Sequence, residues 1–218
     1  ICPDKVTTRQ WLDVHDAAHR VGLRSNVTMM MGHVDHPVHW ANHLLRTREQ
    51  QERSGGFTEF VPLPFVPMEA PMFLKGLARR GPTFGEVLLV HAVARLALHP
   101  LIPNIQVSWV KLGPGGVRQA LASGVNDLGG TLMNESISRA AGSEWGQELP
   151  PEQMEALIRS AGRMPRQRTT TYGEPPEEQV RRSFGAEPLV APLNPPLREA
   201  GRARGARLVR PGRTEAPA

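Results

Sequence analysis

The chain has 218 residues, 39% of them hydrophobic and 22% charged, which is enough to bury one sizeable core. Its net charge of +5 and pI near 10.3 come mostly from the end. Residues 198–218 hold six arginines against two glutamates, which is +4 of the +5. The nearly neutral remainder excludes a folded polyanion-binding surface, and the tail lacks the aromatics that stack on bases, so no nucleic-acid partner is expected. The one cysteine, Cys2, excludes a disulfide framework or a cysteine-rich metal site built from this chain alone. No apolar run reaches membrane-spanning length, and the start lacks the basic-then-apolar pattern of a signal peptide. A cytoplasmic location without membrane contact is expected, and a start at Ile1 rather than Met implies sequence upstream.

In chain order, Thr7 and Thr8 can cap a first helix that carries Trp11, Leu12, Val14 and Ala18 and stops at Gly22. Arg24 to Met31, rich in β-branched and apolar residues, predicts a buried strand. Pro37 suits the first turn of a helix running through Trp40, Leu44 and Leu45 towards Gly55 and Gly56. Phe57 to Phe65 predicts a second strand whose prolines limit pairing at its end. Thr83 and Glu86 have capping-box spacing for an apolar helix ending near His99 and Pro100. Ile105 to Leu112 predicts a third strand, with a short helix after Gly115 and Gly116, and Val125 to Leu128 a fourth that closes on Gly129 and Gly130. A last helix spans Pro151 to about Ala161. From Glu174 onward prolines, arginines and glycines dominate, which predicts a disordered tail. Alternating strands and helices predict an α/β fold with about four parallel strands and crossover helices. That is half of a (β/α) TIM-type barrel with a helical C-terminal extension over residues 1–173, followed by the tail at 174–218. An open doubly wound sheet is the alternative, but no GxGxxG loop follows any of these strands.

His33, His36, His39 and His43 lie within eleven residues, with Asp35 among them. Histidines at i, i+3 and i+7 are compatible with zinc, and His33-x-Asp35 at a strand end would suit a metal-dependent barrel hydrolase. A crossover helix faces away from the strand ends of a barrel, however. His36, His39 and His43 therefore read as a helix face rather than metal ligands. His33 and Asp35, just past a strand end, are site candidates, and no metal ligand is assigned.

Thr28, Met30, Gly32 and Asp35 stand at the spacing of the GxIxGxxE motif of radical S-adenosylmethionine (SAM) enzymes, with three of its four positions substituted. The stretch from Ile1 to Glu49 resembles the radical SAM group that includes the aminofutalosine enzymes and the deazaflavin synthases. Three further stretches, GGFTEFVPLPF (55–65), NDLGGTLMNESISRAAG (126–142) and GRMPRQRTTTYG (162–173), resemble the tyrosine-using half of the FO synthase family. The resemblance covers about the first 175 residues. The family's CxxxCxxC loop is absent, so the resemblance implies barrel strands five to eight plus the extension, inactive alone, with the 4Fe-4S ligands upstream. It implies a transferase that uses SAM and the cluster to generate a deoxyadenosyl radical. The hydroxybenzyl unit of L-tyrosine would pass to 5-amino-6-(D-ribitylamino)uracil, and a second radical SAM half would then close the deazaflavin ring.

Strand alternation puts Asn26, Thr28 and Met30 on one face, where they can line a barrel interior. The motif match implies that Met30 packs on the adenine of SAM, beside Gly32, while Asp35 helps hold the turn. His33 is a candidate proton carrier because free imidazole titrates near neutrality. Glu59 is a candidate partner for the tyrosine amine or the uracil. Trp109 and Lys111 share a face of the third predicted strand, from which Lys111 can steady an anionic intermediate. Asp127, Gly129, Gly130 and Thr131 end the last strand, where glycines admit a close ligand such as the SAM carboxylate or ribityl hydroxyls. Glu135 and Arg139 have the i, i+4 spacing of an ion pair. Arg166, Arg168 and Tyr172 belong to the terminal motif and would cap the barrel, with no chemistry assigned from spacing.

Overall fold

The computed structural model describes residues 4–132, 135–187 and 189. Helix α1 (Thr8–Arg20) opens with a capping box between Thr7 and Gln10. Strand β1 (Ser25–Met31) follows, then α2 (Pro37–Ser54), which closes on Gly55 in the left-handed region at φ 64°. Pro37 takes the first turn of α2, and two imidazoles cap it reciprocally. His36 Nδ1 accepts from Val38 N at 3.4 Å, and His39 Nδ1 accepts from His36 N at 3.0 Å. Strand β2 (Phe57–Pro64), a short α3 (Pro71–Leu74) and α4 (Phe84–Leu98) come next, α4 with the capping box expected of Thr83 and Glu86. Helices α5 (Trp109–Ala122), α6 (Ile137–Ala140), α7 (Pro151–Ser160) and α8 (Glu177–Phe184) complete the order.

β1 and β2 pair in parallel, with Val27 opposite Phe60, Thr28 opposite Val61 and Met30 opposite Leu63. Parallel pairing continues as isolated bridges from Phe60 to Ile105 and from Gln106 to Asp127. Alternation gives the sheet two unlike faces. Val27, Met29, Met31, Phe60, Ile105 and Val107 are buried with Trp40 and Leu44 of α2, Val90 and Ala94 of α4, and Val117 and Leu121 of α5. On the other face Asn26, Thr28 and Met30 are exposed, Met30 by 51%.

Several expectations change. Ile105 to Leu112 is not a strand along its length: Ser108 caps α5, so Trp109 and Lys111 stand on a helix, which breaks at Gly113 (φ 64°) before Pro114. The apolar run fits either periodicity, and helical packing wins by burying Trp109 and Val110. Val125 to Leu128 likewise contributes one bridge, at Asp127, before Gly129 turns the chain at φ 76°. The tail expected from Glu174 begins with α8, which has acidic residues in its first turn and arginines in its last, matching the helix dipole. Among the described residues Glu135 and Arg139 form no ion pair. The Glu135 carboxylate accepts from Ser138 N at 3.0 Å, and Arg139 Nε donates to the Glu135 carbonyl at 2.9 Å.

His43 does not share a surface stripe with His36 and His39. Its ring lies 5.7 Å from that of Trp11 and 6.0 Å from that of Phe60, and Nε2 is buried without a partner. Burial pushes its pKa down from 6.5 to about 4. The unfolded chain then takes up a proton near pH 6.5 that the folded chain refuses until about pH 4. The neutral ring's share of stability is full above pH 6.5 and is lost as pH falls to about 4, a contribution of about 3 kcal/mol. Denaturant melts at pH 7 and pH 4.5 should show that His43→Phe removes about this much of the acid sensitivity; equal acid sensitivity in both proteins would contradict it.

Candidate functional site

Two polar networks lie at the strand ends and on the exposed face. The first is the turn after β1. Asp35 Oδ1 accepts from Gly32 N (2.8 Å) and His33 N (2.7 Å), while Oδ2 accepts from Gly32 N (2.9 Å) and the Trp40 indole. Burial alone would raise the Asp35 carboxyl, but these donors hold it below the usual carboxylate value. His33 Nδ1 accepts from Val34 N at 2.6 Å and lies 3.0 Å from Asp35 Oδ1. Gly32 has φ 91°, and a Cβ there would sit 2.2 Å from the Pro82 ring. Arg79 N donates to the His33 carbonyl at 2.9 Å, so the segment before α4 packs directly on this turn.

The second network joins segments far apart in sequence. Glu59 Oε2 accepts from Gln106 Nε2 and from the Tyr172 hydroxyl, each at 2.6 Å, and lies 3.5 Å from Arg168 Nη2. Asp127 takes the Arg168 guanidinium in a forked pair, Nε to Oδ2 and Nη2 to Oδ1 (2.9 Å). Gly129 N donates to Asp127 Oδ1 at 2.6 Å. The Arg168 guanidinium also lies 4.0 Å over the Tyr172 ring. Burial, then the hydrogen bond to Glu59 and the nearby carboxylates, push the Tyr172 phenol well up. A cavity of about 1240 Å³ is bounded by Glu59, Gln106, Asp127, Gly129, Gly130, Thr131 and Arg168, and on its apolar side by Met154 and Ile158 of α7 and Phe184 of α8.

The expected site residues therefore divide into three groups. Gly32, His33 and Asp35 come together at the turn, and Asn26, Thr28 and Met30 share the open face of β1. Glu59, Asp127 and Gly129 come together through Arg168 and Gln106. Gly130 and Thr131 offer carbonyls that protein donors already use, Trp109 Nε1 at 3.0 Å and Leu149 N at 2.8 Å. Lys111 stands apart on α5 with Nζ 3.1 Å from Ser138 Oγ; burial lowers its pKa, and Glu135 partly opposes this. Among the described residues no group of three or more His, Cys, Asp or Glu side chains could hold a metal ion. No helix among them is long and apolar enough to cross a membrane. Spacing did not single out Arg168, Tyr172 or Gln106. Their one sequence signal is that Arg168 and Tyr172, the chain's only tyrosine, share the motif GRMPRQRTTTYG.

With this geometry in view, comparison defines the class. The sequence profile of the CofH/MqnC C-terminal region matches residues 54–180, and the chain belongs to that family. It is 49% identical over 193 residues to the FO synthase of Streptomyces avermitilis, covering 88% of this chain and 22% of that protein. It is 54% identical over 168 residues to the FO synthase of Mycobacterium leprae, covering 77% and 20%. It is 52% identical over 172 residues to the 5-amino-6-(D-ribitylamino)uracil--L-tyrosine 4-hydroxyphenyl transferase of Methanopyrus kandleri, covering 79% and 47%. The chain thus spans about a fifth of the length of these FO synthases and about half of the transferase.

The Arg168–Asp127 pair is the half-buried joint of the second network, with side-chain exposures of 24% and 7%. Asp127→Ala leaves a guanidinium without its carboxylate, and urea melts should show a loss of about 3 kcal/mol. A loss below about 1 kcal/mol, the range of exposed pairs, would mean that the joint is surface decoration.

Proposed function

We propose that this chain is the C-terminal part of the tyrosine-using radical SAM half of an FO synthase. In that reading it supplies strands five to eight of a (β/α) barrel and the extension through α8, and joins the remaining strands and a second radical SAM half. The reaction is transfer of the hydroxybenzyl unit of L-tyrosine to 5-amino-6-(D-ribitylamino)uracil. The observation that carries this reading is the 52% identity, over 79% of the chain, to the Methanopyrus kandleri transferase named for that reaction. The uncovered sheet face supports it, because strands that close into a barrel cover their second face with the remaining strands.

SAM fits the residues of β1. Asn26, Thr28 and Met30 are open along one face, and Gly32 with the Asp35-held turn ends it, so these residues would hold the cofactor. The 4Fe-4S cluster does not fit this chain, whose single cysteine cannot supply three thiolates, so its ligands belong to the rest of the protein. SAM, when bound, supplies the radical that opens the reaction; the chain's own residues orient the substrates and move protons. His33 Nδ1 is committed to the turn, which leaves Nε2 to exchange a proton. Lys111, fixed by Ser138 and favoured towards its neutral form by burial, serves as a second proton carrier or as the counter-charge to an anion. Glu59 faces the cavity as the acceptor for a substrate N–H group. Asp127 works through Arg168, and Gly129, Gly130 and Thr131 shape the cavity wall beside it. The tail expected over residues 190–218 lies outside the described residues.

The reading is tested in the complete, anaerobically reconstituted enzyme with both substrates. Met30→Asp places a carboxylate against the adenine, at a desolvation cost of several kcal/mol, so 5′-deoxyadenosine formation should collapse. His36→Gln with His39→Gln removes the two capping imidazoles but none of the proposed site. Turnover should stay within about tenfold, which is about 1.4 kcal/mol in the barrier. If that double variant lost activity together with a bound zinc while Met30→Asp remained active, a metal-dependent hydrolase would replace this reading.

A further inference from the structure

The terminal motif has no assigned chemistry, yet its two buried-facing side chains converge on one carboxylate oxygen. Tyr172 O–H, Gln106 Nε2 and, more distantly, Arg168 Nη2 all approach Glu59 Oε2. None of the hydrogen bonds among the described residues ends on Oε1, and that atom is not among the buried unpartnered ones. Oε1 is thus the open side of a carboxylate that is otherwise 8% exposed, and Glu59 lines the cavity. The charges do not cancel. Arg168 directs its fork to Asp127, so two carboxylates share one guanidinium and the cluster carries a net −1 centred on Glu59. Of the other cavity arginines, Arg95 turns to the carbonyls of Gly124 and Pro103, Arg163 to that of Leu121 and Arg166 to the Glu174 carboxylate, while Arg182 lines the cavity from α8. The one guanidinium in contact with Glu59, that of Arg168, is already engaged by Asp127, whereas a primary ammonium finds in Glu59 an ionic acceptor with a fixed direction.

We infer that Tyr172 and Arg168 are positioning residues that hold Glu59 with Oε1 turned to the cavity, as the acceptor for the α-ammonium group of the amino-acid substrate. The inference rests on the proposed transferase reading and assigns one of its two substrates to this wall of the cavity. Tyr172 occludes Oε2, so a ligand meets one oxygen rather than a freely rotating carboxylate. Arg168 fixes the segment that delivers Tyr172, through Asp127 on one side and the Tyr172 ring on the other. The neutral ribitylaminouracil can donate an N–H there but brings no positive charge to offset the cluster's −1, and is not the occupant.

The test measures equilibrium binding to the complete enzyme of three probes: L-tyrosine, its desamino analogue 3-(4-hydroxyphenyl)propanoate, and the ribitylaminouracil. Tyr172→Phe keeps the ring over Arg168 and removes only the hydroxyl. It should weaken L-tyrosine binding by about tenfold, the worth of a hydrogen bond to a charged group, and leave the other two probes unchanged. Glu59→Gln keeps the shape and removes the charge, and should erase the preference for tyrosine over the desamino analogue; it serves equally if Tyr172→Phe misfolds. Unaltered tyrosine binding in both variants overturns the inference while the transferase reading stands. Equal weakening of all three probes assigns Tyr172 a merely structural role and overturns it as well. A wild-type enzyme that binds neither substrate overturns both.

Discussion

The guanidinium of Arg168, forked onto Asp127 and leaning on Glu59, is the contact on which the organisation of this protein turns. Three carbons of aliphatic stem carry one positive charge into a place that holds two negative ones. Without it, Asp127 and Glu59 would stand unshielded on either side of the Gln106 segment in a poorly hydrated space, where like charges repel. With it, the carboxylates become anchors and the segment after α7 is drawn across the sheet. The cavity wall and the orientation of Glu59 follow from that one placement, while burial and the hydrogen bond to Glu59 push the Tyr172 phenol up against the opposing charge of Arg168.

The sheet shows why such a charge cluster can exist beside a conventional core. Its helix-covered face is fully apolar, with Val27, Met31, Phe60, Ile105 and Val107 at 0% exposure. The carboxylates Glu59 and Asp127 stand on the opposite face, while the helix side keeps only neutral polar groups such as Thr47, Gln50 and the uncharged His43 ring. Parallel strands with helical crossovers impose this division, because the crossovers all return on the same side. What remains on the other side is free to be chemical.

Legibility in the sequence followed the range of the forces. Helix starts at Thr7 and Thr83 were readable because a capping box is a contact between residues three apart, and those at Pro37 and Pro151 because proline suits the first helical turn. The alternation of β1 was readable for the same reason, and it put Asn26, Thr28 and Met30 together on the exposed face. The stretch IQVSWVKL misled because an apolar run satisfies a buried strand and a buried helix alike until its neighbours are known. Helix α8 was missed because EEQVRRSF carries little apolar surface between its prolines; dipole-matched ends carry it instead. Arg168 and Tyr172 were beyond reach of spacing, since their partner Glu59 lies 109 and 113 residues away.

The contact between Gly32 and Pro82 has a mechanical consequence. The proline ring fills the space a side chain would need at Gly32, and Arg79 N clasps the next carbonyl, so the turn after β1 and the approach to α4 have no slack between them. Two loops separated by nearly fifty residues of chain then behave as one solid piece. If the mouth of the fold opens to admit a ligand, these loops travel together as a single jaw.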